Sequence, residues 1–328
     1  MSFDLRTLRS FVTVASAGSI SAAAEILHIA QPALSVQIKQ LEEQLGTPLF
    51  ERHPRGVTLT SAGDRLLVHV IEILKRIDVA YEDVRNAIDE PSGRVAIALP
   101  QSVAKFVAVP LVRQTLEKWP KIHLQLVEMS TGYIPDQLLR GHIDIGITFG
   151  TEDDARIRFT HLLDEELVLV TSGRQASTLG SVYTQGSSVA LHAIASLPMV
   201  LPTTAHSLRR RIDGYLDKAQ ASLNVVAEVN AIPELIALAA AGVGSTILSY
   251  AAVNDDVAAG RLMALRIGSP RMTRSIYSCR SGTLPISIAA ARIHEQLHKT
   301  IESLTAGGAW PHSFPGDDAA WAETRRRH

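Results

Sequence analysis

The sequence predicts an α/β protein in two unlike parts: a small N-terminal helical unit with a hairpin, then, past one long helix, a larger domain of alternating strands and helices. Three observations predict this. Apolar residues recur at helical spacing from Leu5 to Leu45 and again, as a narrow stripe, from Leu67 to Ile88. From Arg94 the period changes to short apolar runs separated by helical stretches, which is the signature of βαβ units and a mostly parallel sheet. The 328 residues suffice for about two domains. At 46% hydrophobic and 20% charged residues, the composition excludes disorder as the main state.

The expected boundaries are 1–60 for the helical unit, 61–90 for the long helix and 91–305 for the α/β domain. That domain divides into one subdomain of about 91–165 plus 267–305 and another of about 166–266. Residues 306–328, rich in Gly, Pro and charge and ending Arg325-Arg326-Arg327-His328, read as a disordered tail. Net charge is −1, so no basic excess advertises nucleic acid. The single cysteine, Cys279, excludes an intramolecular disulfide and points to a reducing compartment. Asp4, Arg6 and Arg9 interrupt any signal-peptide core. The most apolar stretch, 231–253, contains Pro233, Glu234, Gly242 and Gly244 and reads as buried helix, turn and strand rather than a membrane span. The expected location is the cytoplasm.

In the first unit, Leu5, Leu8, Phe11, Val12 and Ala15 form one helical stripe that Gly18 ends. Ser19 or Ser21 can cap a second helix over 22–27, whose consecutive alanines allow close helix approach. After a turn at 28–30, Pro32 sits where a third helix tolerates proline. Leu34, Ile38, Leu41 and Leu45 give that helix a buried face. Its opposite face carries Pro32, Ser35, Val36 and Lys39, flanked by Gln31, Ala33 and Gln37, and its small and amide side chains suit base edges in a major groove. Residues 49–52 and 57–59 flank the turn His53-Pro54-Arg55-Gly56, giving a hairpin with a basic tip. Residues 1–60 hold five basic and five acidic residues, so placement decides: Lys39, Arg52 and Arg55 fall on the proposed contact face and wing. The alternative is a small helical core with a random polar face.

The run from Leu5 to Gly63 resembles the winged helix-turn-helix of LysR-type transcriptional regulators. Phe11, Ala23-Ala24-Glu25, Leu27, Gln31-Pro32-Ala33-Leu34-Ser35, Ile38, Leu41-Glu42, Leu45-Gly46, Leu49-Phe50-Glu51-Arg52, Arg55, Leu59-Thr60 and Ala62-Gly63 carry the resemblance, and a looser similarity continues to about residue 304. His28-Ile29-Ala30-Gln31-Pro32 is similar to the family's nitrogen assimilation control branch. One departure stands out: many members have Ser or Thr where this chain has Ala30, which forfeits a helix cap worth about 1 kcal/mol.

Thr60 can cap the long helix, in which Leu67, Val70, Leu74, Ile77, Tyr81, Val84 and Ile88 follow at spacings of 3 and 4. That narrow seam predicts dimerisation; the alternative is an amphipathic helix lying on its own domain. Pro91-Ser92-Gly93 marks a hinge. In the α/β domain, strands are expected over 95–99, 123–128, 144–149, 199–201 and 224–229, with helices over 106–119, 135–140, 207–219, 234–241 and 286–304. The resemblance implies two subdomains around an effector cleft, similar to periplasmic solute-binding proteins.

Ligands in open α/β sheets sit at strand C-terminal ends beside helix N-termini. Gln101-Ser102, Ser130-Thr131-Gly132 and Pro202-Thr203-Thr204 are polar turns at such places. The candidate effector residues are Gln101, Ser102, Thr131, Phe149, Pro202 and Thr203, and hydroxyl and N–H donors there favour a small anion. The resemblance places Ser102, Thr131 and the 202–203 turn at effector-contacting positions; ordinary helix capping is the alternative.

His294-Glu295-Gln296-Leu297-His298 fits H-E-x-x-H but lacks a third ligand downstream, and reads as polar residues on the terminal helix. No G-x-S-x-G elbow, P-loop or G-x-G-x-x-G occurs. Cys279 reads as a passive strand residue. The expectation is a one-component regulator, without cofactor, metal or catalytic site, whose partners are double-stranded DNA, a small-molecule effector and its own copies as homodimer or homotetramer. RNA polymerase is a candidate further partner, and no membrane is expected. The rival is a cytoplasmic small-molecule-binding protein or an enzyme built on the α/β domain. An enzyme would keep its activity after deletion of residues 1–90, whereas a regulator would lose its salt-sensitive DNA binding.

Overall fold

The structure, a computed structural model, describes residues 4–54, 56–85, 90–179, 188–268 and 271–314. Helix α1 (Leu5–Ala17) starts at Asp4, whose side chain accepts from the Arg6 N–H, and ends at Gly18 in the left-handed region. Ser19 caps α2 (Ile20–Leu27), and His28, also left-handed, turns the chain into α3 (Gln31–Leu45). Strands β1 (Phe50–His53) and β2 (Gly56–Leu59) pair antiparallel. The wing is locked to the rest of the unit where the Val57 N–H donates to the Gly18 carbonyl at 2.8 Å. Gly56, at φ +138°, is required there, because a Cβ would sit 2.2 Å from that same carbonyl oxygen. Helix α4 (Ser61–Arg85) follows, its first turn capped by the Thr60 hydroxyl accepting from the Gly63 N–H. Leu8, Phe11, Leu34, Ile38, Leu41, Leu67, Val70 and Ile71 form the core of this unit.

The first subdomain runs β3 (Gly93–Leu99), α5 (Gln101–Lys118), β4 (Ile122–Glu128), α6 (Ile134–Leu139) and β5 (Ile145–Thr148), with β3 parallel to both β4 and β5. Strand β6 (Ile157–Thr171) then carries the chain into the second subdomain. There follow α7 (Gly173–Ala176), β7 (Ser188–Ala190), β8 (Pro198–Leu201), α8 (Ser207–Ala219), β9 (Asn224–Glu228), α9 (Ile232–Ala240), β10 (Thr246–Ser249), α10 (Tyr250–Ala258) and β11 (Met263–Gly268). Strand β12 (Thr273–Ser281) returns to the first subdomain, and α11 (Ile288–Ala306) packs on it beside α5.

The sheet is mixed where the sequence predicts a mostly parallel one. The main sheet runs β4-β3-β5-β12-β6-β11-β7, with β10 also on β6, and β8 pairs with β9. The cause is the double crossing: β6 goes out and β12 comes back antiparallel to it, so β12 meets β5 antiparallel in the first subdomain and β6 meets β10 and β11 antiparallel in the second. A buried core forms in each subdomain, and the first also buries the other face of its sheet around Ala96, Ile134 and Cys279. Leu163 belongs to the first and Leu167 to the second, which puts the crossing at Glu165 and Glu166.

The tail needs correcting. Residues 306–314, expected to be disordered, are ordered against the domain: Trp310 is fully buried in the first core and Phe314 is buried in the second. Two large aromatic side chains four residues apart supply enough apolar area to dock a Gly- and Pro-rich segment. The expectation for Arg325, Arg326, Arg327 and His328 lies outside the described residues. Among the described residues, no helix is long and apolar enough to cross a membrane.

Candidate functional site

Two surfaces collect the residues singled out above. On α3, Gln31, Pro32, Ala33 and Lys39 are exposed and Ser35 is half-buried. Ile29 and Val36, exposed beside them, add apolar contact suited to a thymine methyl. Ala30 takes the N-cap position without a side-chain hydrogen bond, and Pro32 stands in the first turn. Gln37 departs from expectation. Its Oε1 accepts from the Ser10 hydroxyl at 2.9 Å and its Nε2 donates to Thr7 Oγ1 at 3.0 Å, so its amide fastens α3 to α1. Lys39 lies 3.5 Å from Glu43, an exposed pair of little energetic weight. Arg52 is exposed on β1, and Arg55 lies outside the described residues. Glu42, to which the sequence assigned no role beyond the resemblance, accepts from the Leu49 and Phe50 N–H groups and sets the wing against α3.

The seam on α4 splits in two. Leu67 and Val70 are buried in the N-terminal core and Leu74 packs at its edge, so these side chains serve their own chain first. Ile77 is half-buried, while Tyr81 and Val84 are 62% and 87% exposed. Ile88 lies outside the described residues. With Ile73, also exposed, Ile77, Tyr81 and Val84 make an apolar stripe at spacings of 4, 4 and 3. Lys75 Nζ meets Asp144 Oδ1 at 2.6 Å, tying the same helix to the first subdomain.

The second surface is the cleft between the subdomains. Gln101, Ser102, Thr131 and Phe149 come together there, lining a cavity of about 120 Å³ with His206, Ser207, Asn230 and Arg274. It adjoins a second cavity of about 280 Å³ that shares Thr131, Phe149 and Ser207 and is edged by Glu152, Arg210 and Arg211. Pro202 and Thr203 do not reach either cavity. The Thr203 N–H and hydroxyl both donate to Asn230 Oδ1, and the Pro202 carbonyl accepts from Arg209, so this turn supports the wall instead of lining it. Helices α5 and α9 both point uncapped N-termini at the first cavity, with Pro100 and Ala231 as their N-cap residues.

Hydrogen-bond direction fixes what the cleft offers. Arg274, only 4% exposed, donates from Nη2 to Ser102 Oγ and to Ser249 Oγ, each at 3.1 Å, and its Cζ stands 3.8 Å from the Phe149 ring centroid. A guanidinium only donates, so Ser102 accepts and its own hydrogen is left to point at a ligand. Thr131 donates to Ser207 Oγ at 3.0 Å, a bond that joins the two subdomains across the cleft. His206 Nδ1 accepts from the Leu208 N–H, which leaves the proton of the neutral ring on Nε2. Burial first, then the charges of Arg274 and Arg210, hold the His206 pKa down, so the ring stays neutral. The walls thus present donors and a buried cation.

Arg274 is itself held by Glu165, with Nε to Oε2 at 2.7 Å. Neither residue was singled out in the sequence, although both left signals: Glu165-Glu166 interrupts an apolar strand, and Arg274 occupies an inward position of the alternating strand β12.

The H-E-x-x-H residues do not converge as a metal triad. His294 and His298 Nε2 meet Ser278 Oγ at 3.1 and 2.9 Å, while Glu295 faces outward and pairs with Lys299. Burial pushes the Cys279 thiol up to about 12, which makes it unreactive in its strand.

Residues 5–64 match the model of the bacterial regulatory helix-turn-helix protein, lysR family, and residues 89–302 that of the LysR substrate binding domain. The chain is 32% identical over 295 residues to the nitrogen assimilation regulatory protein nac of Klebsiella aerogenes, covering 90% of this chain and 94% of that protein. Its counterpart in Escherichia coli K12 is 31% identical over 301 residues, 92% of this chain and 96% of that protein. Among solved structures, a full-length OxyR variant from Pseudomonas aeruginosa superposes with a TM-score of 0.71 at 22% identity, covering 92% of this chain and 98% of that one. Full-length CbnR complexed with its target DNA gives 0.52 at 25% identity, covering 91% and 100%.

Proposed function

The chain belongs to the LysR family of DNA-binding transcriptional regulators with an effector-binding domain, and from that premise we propose that it reads an inverted-repeat operator and answers to a small anion held in the cleft. The anion reading is carried by one observation: donors from both subdomains, two uncapped helix N-termini and the Arg274 guanidinium converge on a single cavity. Ser102 would hold the anion from the first subdomain, and His206 and Ser207 from the second, with Thr131 aiming the free Ser207 proton by donating to its oxygen and Gln101 and Phe149 shaping the entrance. A ligand touching both walls favours the arrangement that brings them together, and it shifts the population by its difference in affinity for the two arrangements.

On DNA, Gln31, Pro32, Ala33 and Ser35 would approach base edges, with Lys39, Arg52 and Arg55 on phosphates or in the minor groove. Gln37 would act indirectly, by aiming α3. Two copies, joined along Ile73, Ile77, Tyr81 and Val84, would place their α3 helices on the half-sites of a palindrome. The α/β domain is read as a receptor and not as an enzyme, in a cytoplasmic protein.

The test is thermal unfolding of the full chain against small carboxylates, amino acids and aromatic acids. A ligand at 100 times its Kd adds about 2.7 kcal/mol, and Ser102→Ala or Thr131→Val should abolish the resulting shift. Stabilisation by neutral compounds alone would refute the anion reading. In parallel, footprinting upstream of the protein's own gene should show a protected inverted repeat whose affinity falls steeply with salt.

A further inference from the structure

We propose that residues 307–314 form a strap that fastens the hinge between the two subdomains, and that Trp310 is a positioning residue for the Arg274 guanidinium in the cleft. The segment lies beyond residue 302, where the match to the substrate-binding domain ends. It nevertheless makes directed contacts at the point where β6 crosses from one subdomain to the other.

Trp310 belongs to the first core, stacked on Phe106 with ring centroids 5.0 Å apart. Its indole N–H donates to Glu165 Oε1 at 2.8 Å. The other oxygen of that carboxylate receives Arg274, so Glu165 is shared between the strap and the cleft. The next residue of β6 is held as tightly. The Glu166 N–H donates to the His312 carbonyl at 2.8 Å, the Phe314 N–H to Glu166 Oε2 at 3.0 Å, and Arg266 Nε to Glu166 Oε1 at 2.8 Å. Phe314 enters the second core against Tyr250, 4.7 Å between centroids.

Five residues therefore run from one core to the other, alongside the two crossings made by β6 and β12. A rotation of the subdomains must bend the chain near Glu165-Glu166, and the strap opposes it by binding both residues. Trp310 sets Glu165, Glu165 sets Arg274, and Arg274 directs the Ser102 hydroxyl into the cavity. The effect on effector binding rests on the cleft reading above; the hinge role rests on these contacts alone.

Hydrogen–deuterium exchange of the full chain, without ligand, tests it. Trp310→Phe keeps a ring against Phe106 and deletes the indole donor, leaving a buried carboxylate oxygen short of a partner. Exchange should rise on the order of tenfold in peptides spanning 163–168 and 272–277, and not in α1–α3. A chain ended after Ala306 should raise the same peptides further. The double variant of Trp310→Phe with Glu165→Gln should exceed Glu165→Gln by less than Trp310→Phe exceeds the wild type, because both act on one link. If Trp310 were only a packing plug, the change would be confined to α5 and α11. That outcome, unchanged hinge peptides, or additive variants would overturn the proposal. A flat carboxylate panel would count against the anion reading and leave this result standing.

Discussion

The face of α3 and the interdomain cleft are built on opposite plans. The first draws on residues 29–52, with Gln31, Pro32, Ala33 and Lys39 exposed and its support, Gln37 and Glu42, turned inward. The second draws on segments from Gln101 to Arg274 and is floored by a buried ion pair. A rod-like polymer can be read by one helix, whereas a small ligand must be surrounded, and only chain segments distant in sequence can surround it. Exposed side chains on α3 can be exchanged with little stability cost, while Arg274 cannot lose its partner without leaving a charge buried. With the proposed roles of α3 and the cleft, target choice and signal choice would sit in regions of very different tolerance.

Helix α4 joins the two regions and offers the largest test. Leu67→Asp puts a charge into the N-terminal core beside Leu8 and Phe11, and should abolish the cooperative fold of that unit and all DNA binding. Val84→Asp, on a residue 87% exposed, should leave the fold intact and halve the mass of the species joined along that stripe, read by sedimentation. If Val84→Asp unfolds the N-terminal unit, or leaves the assembly whole, the division of the helix into core and interface halves is wrong.

The same division shows why the sequence was legible in part. A heptad stripe reports that a face is apolar and says nothing about what covers it, so Leu67 and Tyr81 look alike until the fold separates them. The N-terminal unit was readable almost to the residue because its caps, turns and spacings are local: Gly18 ends α1 and Ser19 starts α2 where expected. In the α/β domain the local elements were readable, the helix, turn and strand of 231–253 among them, but β6, β11 and α10 were not and β12 only at Cys279, since their identity depends on non-local pairing. Gln101, Ser102, Thr131 and Phe149 were found because each ends a strand or opens a helix. Arg274 and Glu165 were missed because a buried ion pair 109 residues apart has no period. The strap was missed because composition outweighed Trp310 and Phe314.

Acid should separate the regions next. Burial depresses the pKa values of His142, His206, His294 and His298, all in the α/β domain, and His294 falls to about 4, with the charges of His298 and Arg280 adding to burial. A histidine with a lowered folded pKa binds fewer protons folded than unfolded, so its contribution holds above the unfolded value and is lost as pH falls. The α/β domain should therefore lose stability progressively from its ordinary 6.5 down to about 4. His294→Asn should flatten that dependence, as followed by denaturant midpoints at several pH values. An unaltered slope would remove His294 as its source.

The smallest expected effect sharpens the reading of α3. Ala30 is extended at φ −67° and ψ 132°, the geometry of an N-cap, yet it provides no side-chain acceptor. Pro32 removes one of the first-turn donors, so the Ala33 N–H is the donor a capping hydroxyl would take. Ala30→Ser should place its oxygen on that N–H and stabilise the unit by about 1 kcal/mol, raising its melting midpoint. Its effect on DNA shows what the open N-terminus is for. If the free Ala33 N–H holds a phosphate, as helix N-termini do, the added cap competes for it, and operator affinity should fall while stability rises. Equal or tighter binding by the serine variant would show that α3 keeps its N-terminus open for no phosphate.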